Sequence, residues 1–321
     1  MRFLNSLVSL MALVSVTALA QTKTFPDRPL RFVVPFTAGG NADVVARTVA
    51  LGLSEQLKQT VVVDNKPGAN AMIGAEWVAR APADGYTFLL ATAETLVINP
   101  HIYKKISYDP LKDFSPIGVI GHFPFALVVN PKLPVRNLSD FIDHAKKNPD
   151  KLSFSSWGVG STSQIAFEQL MQTTGTKLLH VPFQGAAPAI TAVAGGQVDA
   201  FIVPLTVAVP QAQSGRVKLL GVSSAQRLAS APDIPTLTEQ GYPIVIGGWH
   251  MVAVPKNTPK DAVERLNLEL NATLARKETR DSLIKLGIDP AHYTPVEAEK
   301  MLQSEYLRWG KIAKTAAISV D

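Results

Sequence analysis

Residues 33–48 read VVPFTAGGNADVVART. An apolar run stops at Pro35, two glycines follow at Gly39 and Gly40, and a helical pattern then begins that carries Asp43 and Arg47. The reading is strand, glycine turn, helix. The first amides of a helix have no partner inside it and carry partial positive charge, so such a turn suits an anion. No G-K-[ST] follows and the glycines do not form G-x-G-x-x-G, which turns the loop away from nucleotides. A tight turn with no ligand is the plainer alternative. Asp43 suits the helix dipole, would repel a close anion, and is spaced to pair with Arg47 four residues on, so the pair reads as structural.

The same alternation runs outward along the chain. LRFVVPF precedes ADVVARTVALGLSEQL, TVVVDN precedes MIGAEWVARA, and YTFLLAT follows. Later, FALVVN precedes NLSDFIDHAKKN, LSFSS precedes STSQIAFEQLMQ, KLLHVPF precedes APAITAVAGG, and VDAFIVP precedes AVPQAQSG. Short apolar runs bounded by Gly, Pro, Asn and Asp read as buried strands. Their alternation with helices predicts an α/β protein with parallel sheets. Near the C-terminus, Thr258-Pro259 with Asp261 and Thr294-Pro295 with Glu297 read as capped helix starts. No flexible linker divides the chain. Two domains would therefore be joined by strands that cross between them, with HFPFALVVN (122–130) and IGGWHMVAVP (246–255) as the candidates.

The N-terminus MRFLNSLVSLMALVSVTALAQ has one arginine, Arg2, an apolar run and the small residues Ala18 and Ala20. It reads as a signal peptide over 1–20, cleaved near Gln21, and a membrane anchor is the weaker reading because the run is short and holds hydroxyls. The chain has no cysteine, which excludes disulfides, thiolate chemistry and a lipid on a cysteine at the cleavage point. With 31 basic and 26 acidic side chains the charge is +5, and without Arg2 it is +4. No basic stripe interleaved with aromatics is present, which argues against nucleic acid.

A second loop repeats the first design with more hydroxyls. In SSWGVGSTSQIAFEQL (155–170), a strand meets Gly158 and Gly160, then Ser161, Thr162 and Ser163 at a helix start. One of the three hydroxyls is expected to be an ordinary cap. Two such loops on facing sheets would hold a ligand with two acidic ends, or one end from both sides. Thr92 and Thr95 after a strand end, and Phe183, Gln184 and Gly185 before a helix, are further candidates that are more often structural when seen alone. The six histidines show no metal spacing and there is no G-x-S-x-G, so neither a metal, a cofactor nor an enzyme is expected.

The segments PFTAGGNADVVAR (35–47), VVVDNKPGANAMIGAEWVARAPADGYTFLL (61–90), INPHIYKKISYDPLKDFSPI (98–117), HVPFQGAAPAITAVAGGQVD (180–199), RVKLLGVSSAQRLASAPDIPTLTEQGYP (216–243) and GWHMVAVPKNTP (248–259) occur in this order. Together they resemble the periplasmic solute receptors of tripartite tricarboxylate transporters, the Bug-type receptors, over nearly all of the mature chain. The resemblance implies a Venus-flytrap, type II-like periplasmic-binding-protein fold of two α/β domains on two crossing strands. The domains would be 21–123 with 250–321, and 124–249. It implies a monomer that binds a small organic acid or amino acid in its cleft and delivers it to the membrane components of a transporter.

Carried over residue by residue, the resemblance places ligand contacts at Phe36, Gly39, Gly40 and Asn41, at Thr92 and Thr95, and at Ser156, Ser161, Thr162 and Ser163, with Gln184 and Gly185 beside them. Two positions depart from the family. Val203 and Pro204 stand where many members carry an aspartate that meets a ligand ammonium or hydroxyl, so a plain acid is expected, because a buried ammonium without a partner is costly. Trp157 stands where a small residue is usual; its face can pack on an aromatic or aliphatic ligand body or on its own domain. The expectation is a dicarboxylate, adipate-like or terephthalate-like, then citrate-like acids. An exported α/β hydrolase and a sensor that docks on a membrane kinase are the alternatives.

Overall fold

A computed structural model describes residues 25–228, 231–315 and 319–320; the expected signal peptide, 1–20, and its expected cleavage point lie outside the described residues. The chain begins with β1 (Leu30–Val34), α1 (Asn41–Leu57), β2 (Val61–Asn65), α2 (Met72–Ala79) and β3 (Thr87–Ala91). A π-helical turn, Glu94–Ile98, runs into the short α3 (Asn99–Ile102), and β4 (Phe114–Val129) carries the chain across to a second sheet. There follow α4 (Leu138–Lys147), β5 (Ser153–Ser156), α5 (Thr162–Thr174), β6 (Leu179–Pro182), α6 (Ala186–Gly195), β7 (Ala200–Pro204), α7 (Leu205–Gln213) and β8 (Lys218–Val222). The return is β9 (Gly247–Pro255), with α8 (Lys260–Ala275), α9 (Lys277–Lys285), β10 (Asp289–Pro290) and α10 (Pro295–Thr315).

The strands order as β2-β1-β3-β9-β4-β7-β5-β6, with β8 and β10 also on β4. β4 is shared. From Phe114 to Pro124 it pairs with β9, and from Phe125 to Val129 with β7 and β8. On the other crossing, Ile246 N donates to Ser223 O of the second lobe at 3.0 Å, and Gly247 opens the pairing of β9 opposite Pro124. The two crossings thus lie side by side. The approach is close: a Cβ on Gly247 would sit 2.9 Å from the Phe123 carbonyl oxygen, and one on Gly248 would run into the Phe123 ring.

The parallel pattern read from the sequence holds for β1 with β2 and β3 and for β5 with β6 and β7. It fails at β4, β8 and β9, which pair antiparallel. Both sheets are therefore mixed. A strand that leaves one lobe and one that returns must run opposite ways past each other, and each is antiparallel to the strands it joins.

Residues of β1 are buried on both faces, as its continuous apolar run requires. Phe32 and Val34 face α1, whose Val45, Val49 and Leu53 fill a core with Leu266 and Leu270 of α8. Val33 belongs to the larger core, which continues through Leu89 and Leu127 to Phe154 and Ile165 of the second lobe. At α10 the capping box forms: Thr294 N donates to Glu297 Oε2 at 2.8 Å and Glu297 N to Thr294 Oγ1 at 3.3 Å. At α8 it does not. The N-cap is Pro259, one residue later than the sequence reading, because the Thr258 hydroxyl turns back to donate to Pro255 O at 2.7 Å.

Candidate functional site

The first loop is fastened by its own acid. Asp43, buried in the first turn of α1, accepts from Gly39 N at 2.8 Å, from Arg47 Nε at 3.0 Å and from Asn65 Nδ2 at 2.9 Å. Burial alone would push its carboxyl up, but the hydrogen bonds from Arg47, Gly39 and Asn65 outweigh it and hold it below the usual carboxylate range. Asn65 Nδ2 also holds Phe36 O at 3.1 Å. The Gly39 amide is therefore taken, and Gly40 N reaches back to Thr37 O at 3.4 Å. The first intrahelical bond is Val44 N to Gly40 O at 3.0 Å, so the amides of Asn41, Ala42 and Asp43 are the ones that precede it and remain for an anion.

Beneath this helix start lie two buried polar atoms without a hydrogen-bond partner, Thr92 Oγ1 and His250 Nδ1. Pairing of β3 with β9 runs Leu89 with Ala253 to Ala91 with Met251, which brings Thr92 to the level of His250 at the sheet's end. His250 Nε2 lies 3.5 Å from Asn41 Oδ1. Its ring lies tilted by 35° against Phe123 of the crossing strand, with centroids 5.0 Å apart. Complete burial lowers the pKa of His250 to about 4, so the imidazole is neutral at pH 7. Thr95 does not share this openness. Its Oγ1 accepts from Thr92 N and donates to Thr92 O, both at 2.8 Å, closing the turn.

The hydroxyls of the second loop are all engaged within the protein. Ser161 is the N-cap of α5, accepting from Gln164 N at 3.4 Å and donating to Gly158 O at 2.6 Å. Ser163 Oγ donates to Ile202 O at 2.6 Å. Ser156 Oγ donates to Gly158 O at 2.9 Å and meets His180 Nε2 at 2.7 Å. Thr162 reaches across the lobes: its N–H donates to Glu94 Oε1 at 3.3 Å and its hydroxyl donates to the same oxygen. Glu94, in the π-helical turn after β3, is itself buried.

A cavity of about 340 Å3 is lined from both lobes, by Asn70 and Tyr103 on one side and Trp157, Gly158, Phe183 and Gln184 on the other. Trp157 packs on its own lobe, the second of the two alternatives, and its face toward a ligand body stays an expectation. It packs edge-on against Phe125 at 5.7 Å and Phe201 at 6.1 Å, and it still lines the cavity. Gln184 is exposed at the mouth, and Gly185 caps α6 with a φ of 114°. Pro204 is half-buried as the N-cap of α7. Val203 is fully buried in the core of the second lobe, opposite Ala126, and offers the cleft no surface.

The Ser156–His180 contact is the arrangement that a hydrolase would need to start from. Yet Ser156 Oγ lies within reach of Gly158 O as well as of His180 Nε2, and no carboxylate is hydrogen-bonded to His180 among the described residues to orient the ring as a base. Burial alone lowers the pKa of His180. No group of three or more metal-ligating side chains is found among the described residues.

Sequence reasoning passed over His250 and Glu94. Each carried one signal, a polar side chain inside an otherwise apolar stretch: WHMVAV for His250 and AETLVI for Glu94. A buried glutamate is almost never left unpaired, and a histidine in an apolar strand is a weaker signal of the same kind.

The profile of the tripartite tricarboxylate transporter family receptor matches residues 45–318. Protein BugT of Bordetella pertussis (strain Tohama I) is 33% identical over 309 residues, covering 95% of each chain. Among solved structures, R. palustris Rpa4515 with adipate superposes with a TM-score of 0.86 at 35% identity, over 92% of this chain and 99% of that one. MatC (Rpa3494) from Rhodopseudomonas palustris with bound malate gives 0.81 at 31% identity, over 90% and 99%.

Proposed function

The chain belongs to the tripartite tricarboxylate transporter receptor family, and from that premise we propose that it is a periplasmic receptor that captures a small dicarboxylate by lobe closure and delivers it to the membrane components of a tripartite tricarboxylate transporter. A receptor of this family is a binding protein and not an enzyme. The observation that carries the reading is the start of α1. Its amides at Asn41, Ala42 and Asp43 precede the first intrahelical bond, the Asn41 side chain meets the His250 ring through Nε2, and Thr92 Oγ1 and His250 Nδ1 at the end of the same sheet are buried without partners. Buried polar groups are costly unless paired, so a ligand that supplies partners is favoured there.

One carboxylate is held at this helix start, mainly by backbone amides. Phe36 and Asn65 fix the loop from behind and Asn41 flanks it. The rest of the acid lies toward Trp157, Phe183 and Gln184, where a ring face suits an apolar body. The adipate and malate carried by the two structural relatives support a small carboxylic acid in this cleft. The case against an amino acid no longer rests on Val203. Glu94 gives its Oε1 to Thr162, so the cleft's nearest acid is in part engaged by the protein itself.

We put the lobes at 21–124 with 247–321 and at 125–246, close to the 123/124 and 249/250 boundaries expected from the sequence, hinged where β4 changes sheets at Pro124–Phe125 and where Ile246 meets Gly247. Ligand contacts from both lobes then favour closure by their difference in affinity for the closed form. We read the protein as a monomer, exported with cleavage near Gln21 and without a lipid, since there is no cysteine to carry one. A thermal-shift panel of mono- and dicarboxylates and amino acids tests the ligand class, because a binder of the native state raises its melting temperature. Dicarboxylates are expected to shift the melt. A shift by amino acids alone overturns the reading.

A further inference from the structure

The N-terminus of α5 is already occupied, and its occupant comes from the opposite lobe. Glu94 follows β3 of the first sheet, whereas Thr162 opens a helix packed on β5 and β7 of the second. Glu94 Oε1 accepts both the Thr162 amide, at 3.3 Å, and the Thr162 hydroxyl. Only 7% of Glu94 is exposed and 2% of Thr162. A carboxylate so placed gains from the helix dipole and from charge-assisted hydrogen bonds. The same edge of the cleft is closed by Asn70 Nδ2, 3.4 Å from Gly160 O, and by Ile102, whose Cδ1 lies 2.4 Å from where a Gly160 Cβ would be.

We propose that Glu94 is a built-in anion that latches the two lobes: it fills the α5 helix start in place of a ligand carboxylate and holds the lobes together without one. The inference rests on the receptor reading in so far as lobe motion is the working step. Two consequences follow. A ligand carboxylate aimed at α5 must first displace a like charge, so the anionic end is directed to the first loop. The lobes also come together in part before ligand arrives, which lowers the cost of closure on binding.

The absence of cysteine allows two labels to be placed at will. Leu51→Cys on α1 and Lys147→Cys on α4 are exposed positions on opposite lobes. Spin-label distance distributions are recorded on the mature chain with no ligand added, so the outcome does not depend on which acid the receptor binds. The wild-type background is expected to show a short-distance population. Glu94→Ala is expected to lower the ratio of short to long distances about tenfold, the scale of one charge-assisted hydrogen bond. Thr162→Val should act in the same direction, and the double variant should shift the ratio no further than Glu94→Ala alone, because both remove one contact. Glu94→Gln keeps an oxygen acceptor without the charge, and should fall between wild type and Glu94→Ala; it carries the test if the alanine variant does not fold. No short population in the wild type, an unchanged ratio in Glu94→Ala (or in Glu94→Gln where that stands in), or fully additive effects of the two changes overturns the latch.

Discussion

Asp43 Oδ2 receives the backbone N–H of Gly39 at 2.8 Å, four residues upstream, while the same oxygen takes Arg47 Nε at 3.0 Å. The acid in the first turn of α1 therefore works on the loop and not on the ligand. Asp43→Ala strips partners from Gly39, Arg47 and Asn65 at once. It is expected to cost roughly 1–3 kcal/mol, the penalty for leaving such groups unpaired. Urea denaturation at pH 7 measures it. Because the hydrogen bonds hold the Asp43 carboxyl below its usual range, its contribution is present at neutral pH and is lost as pH falls through that lowered value.

His250 works in the same sense by a different cause. Burial depresses its pKa from 6.5 to about 4, so the unfolded chain binds a proton between these values and the folded chain does not. Stability from this group is complete above pH 6.5 and falls as pH drops toward 4. The loss by pH 4 is on the order of 3 kcal/mol at about 1.4 kcal/mol per pKa unit. His250→Gln should flatten that part of the pH dependence of urea unfolding. An unchanged slope between pH 4 and 6.5 would show that His250 is not the buried neutral group described here.

Ser161 looks from the sequence like a ligand contact, and its removal like a loss of affinity alone. In the structure it caps α5 through Gln164 N and Gly158 O. Ser161→Ala is therefore expected to lower stability by about 1 kcal/mol, as N-cap removal does. A melting curve measured without ligand reads this directly.

Much of the fold was legible because strands and helices advertise themselves locally. The apolar runs at 30–34, 61–65 and 87–91 became β1, β2 and β3, and Thr294 with Glu297 became a cap. What local pattern does not encode is direction: β4 and β9 are apolar like their neighbours, and only the crossing makes them antiparallel. The site was legible in its loops and not in its wiring. Gly39, Gly40 and Asn41 do open a helix, but a row of hydroxyls at 161–163 gives no sign of which partner each will take. Glu94 reaches Thr162 across 68 positions of sequence, and that contact exists only once two sheets have folded. Val203 was misplaced for a simpler reason. A strand turns successive side chains to opposite faces, and this one faces the core.

Gly160 adopts a φ of +75° and leaves no room for a side chain, with Ile102 of the first lobe 2.4 Å from a Cβ. Gly160→Val should strain the loop and wedge the lobes apart. Small-angle scattering is expected to give a larger radius of gyration than for the wild type, and ligand affinity should fall at least tenfold, as when about 1.4 kcal/mol of closure is lost. An unaltered radius would mean that the lobes do not meet at this point.

Gly40 offers the most direct test of the carboxylate grip at α1. Its φ is −76° and a Cβ would make only ordinary contact with Thr37 O at 3.4 Å, so the fold accepts a side chain there while the space over the helix start does not. Calorimetric titration of adipate and malate into the wild type and Gly40→Trp is the measurement. One-to-one binding of at least one acid to the wild type, abolished in a Gly40→Trp variant with a native melting curve, is the expected result. Binding that survives Gly40→Trp unchanged would contradict the account.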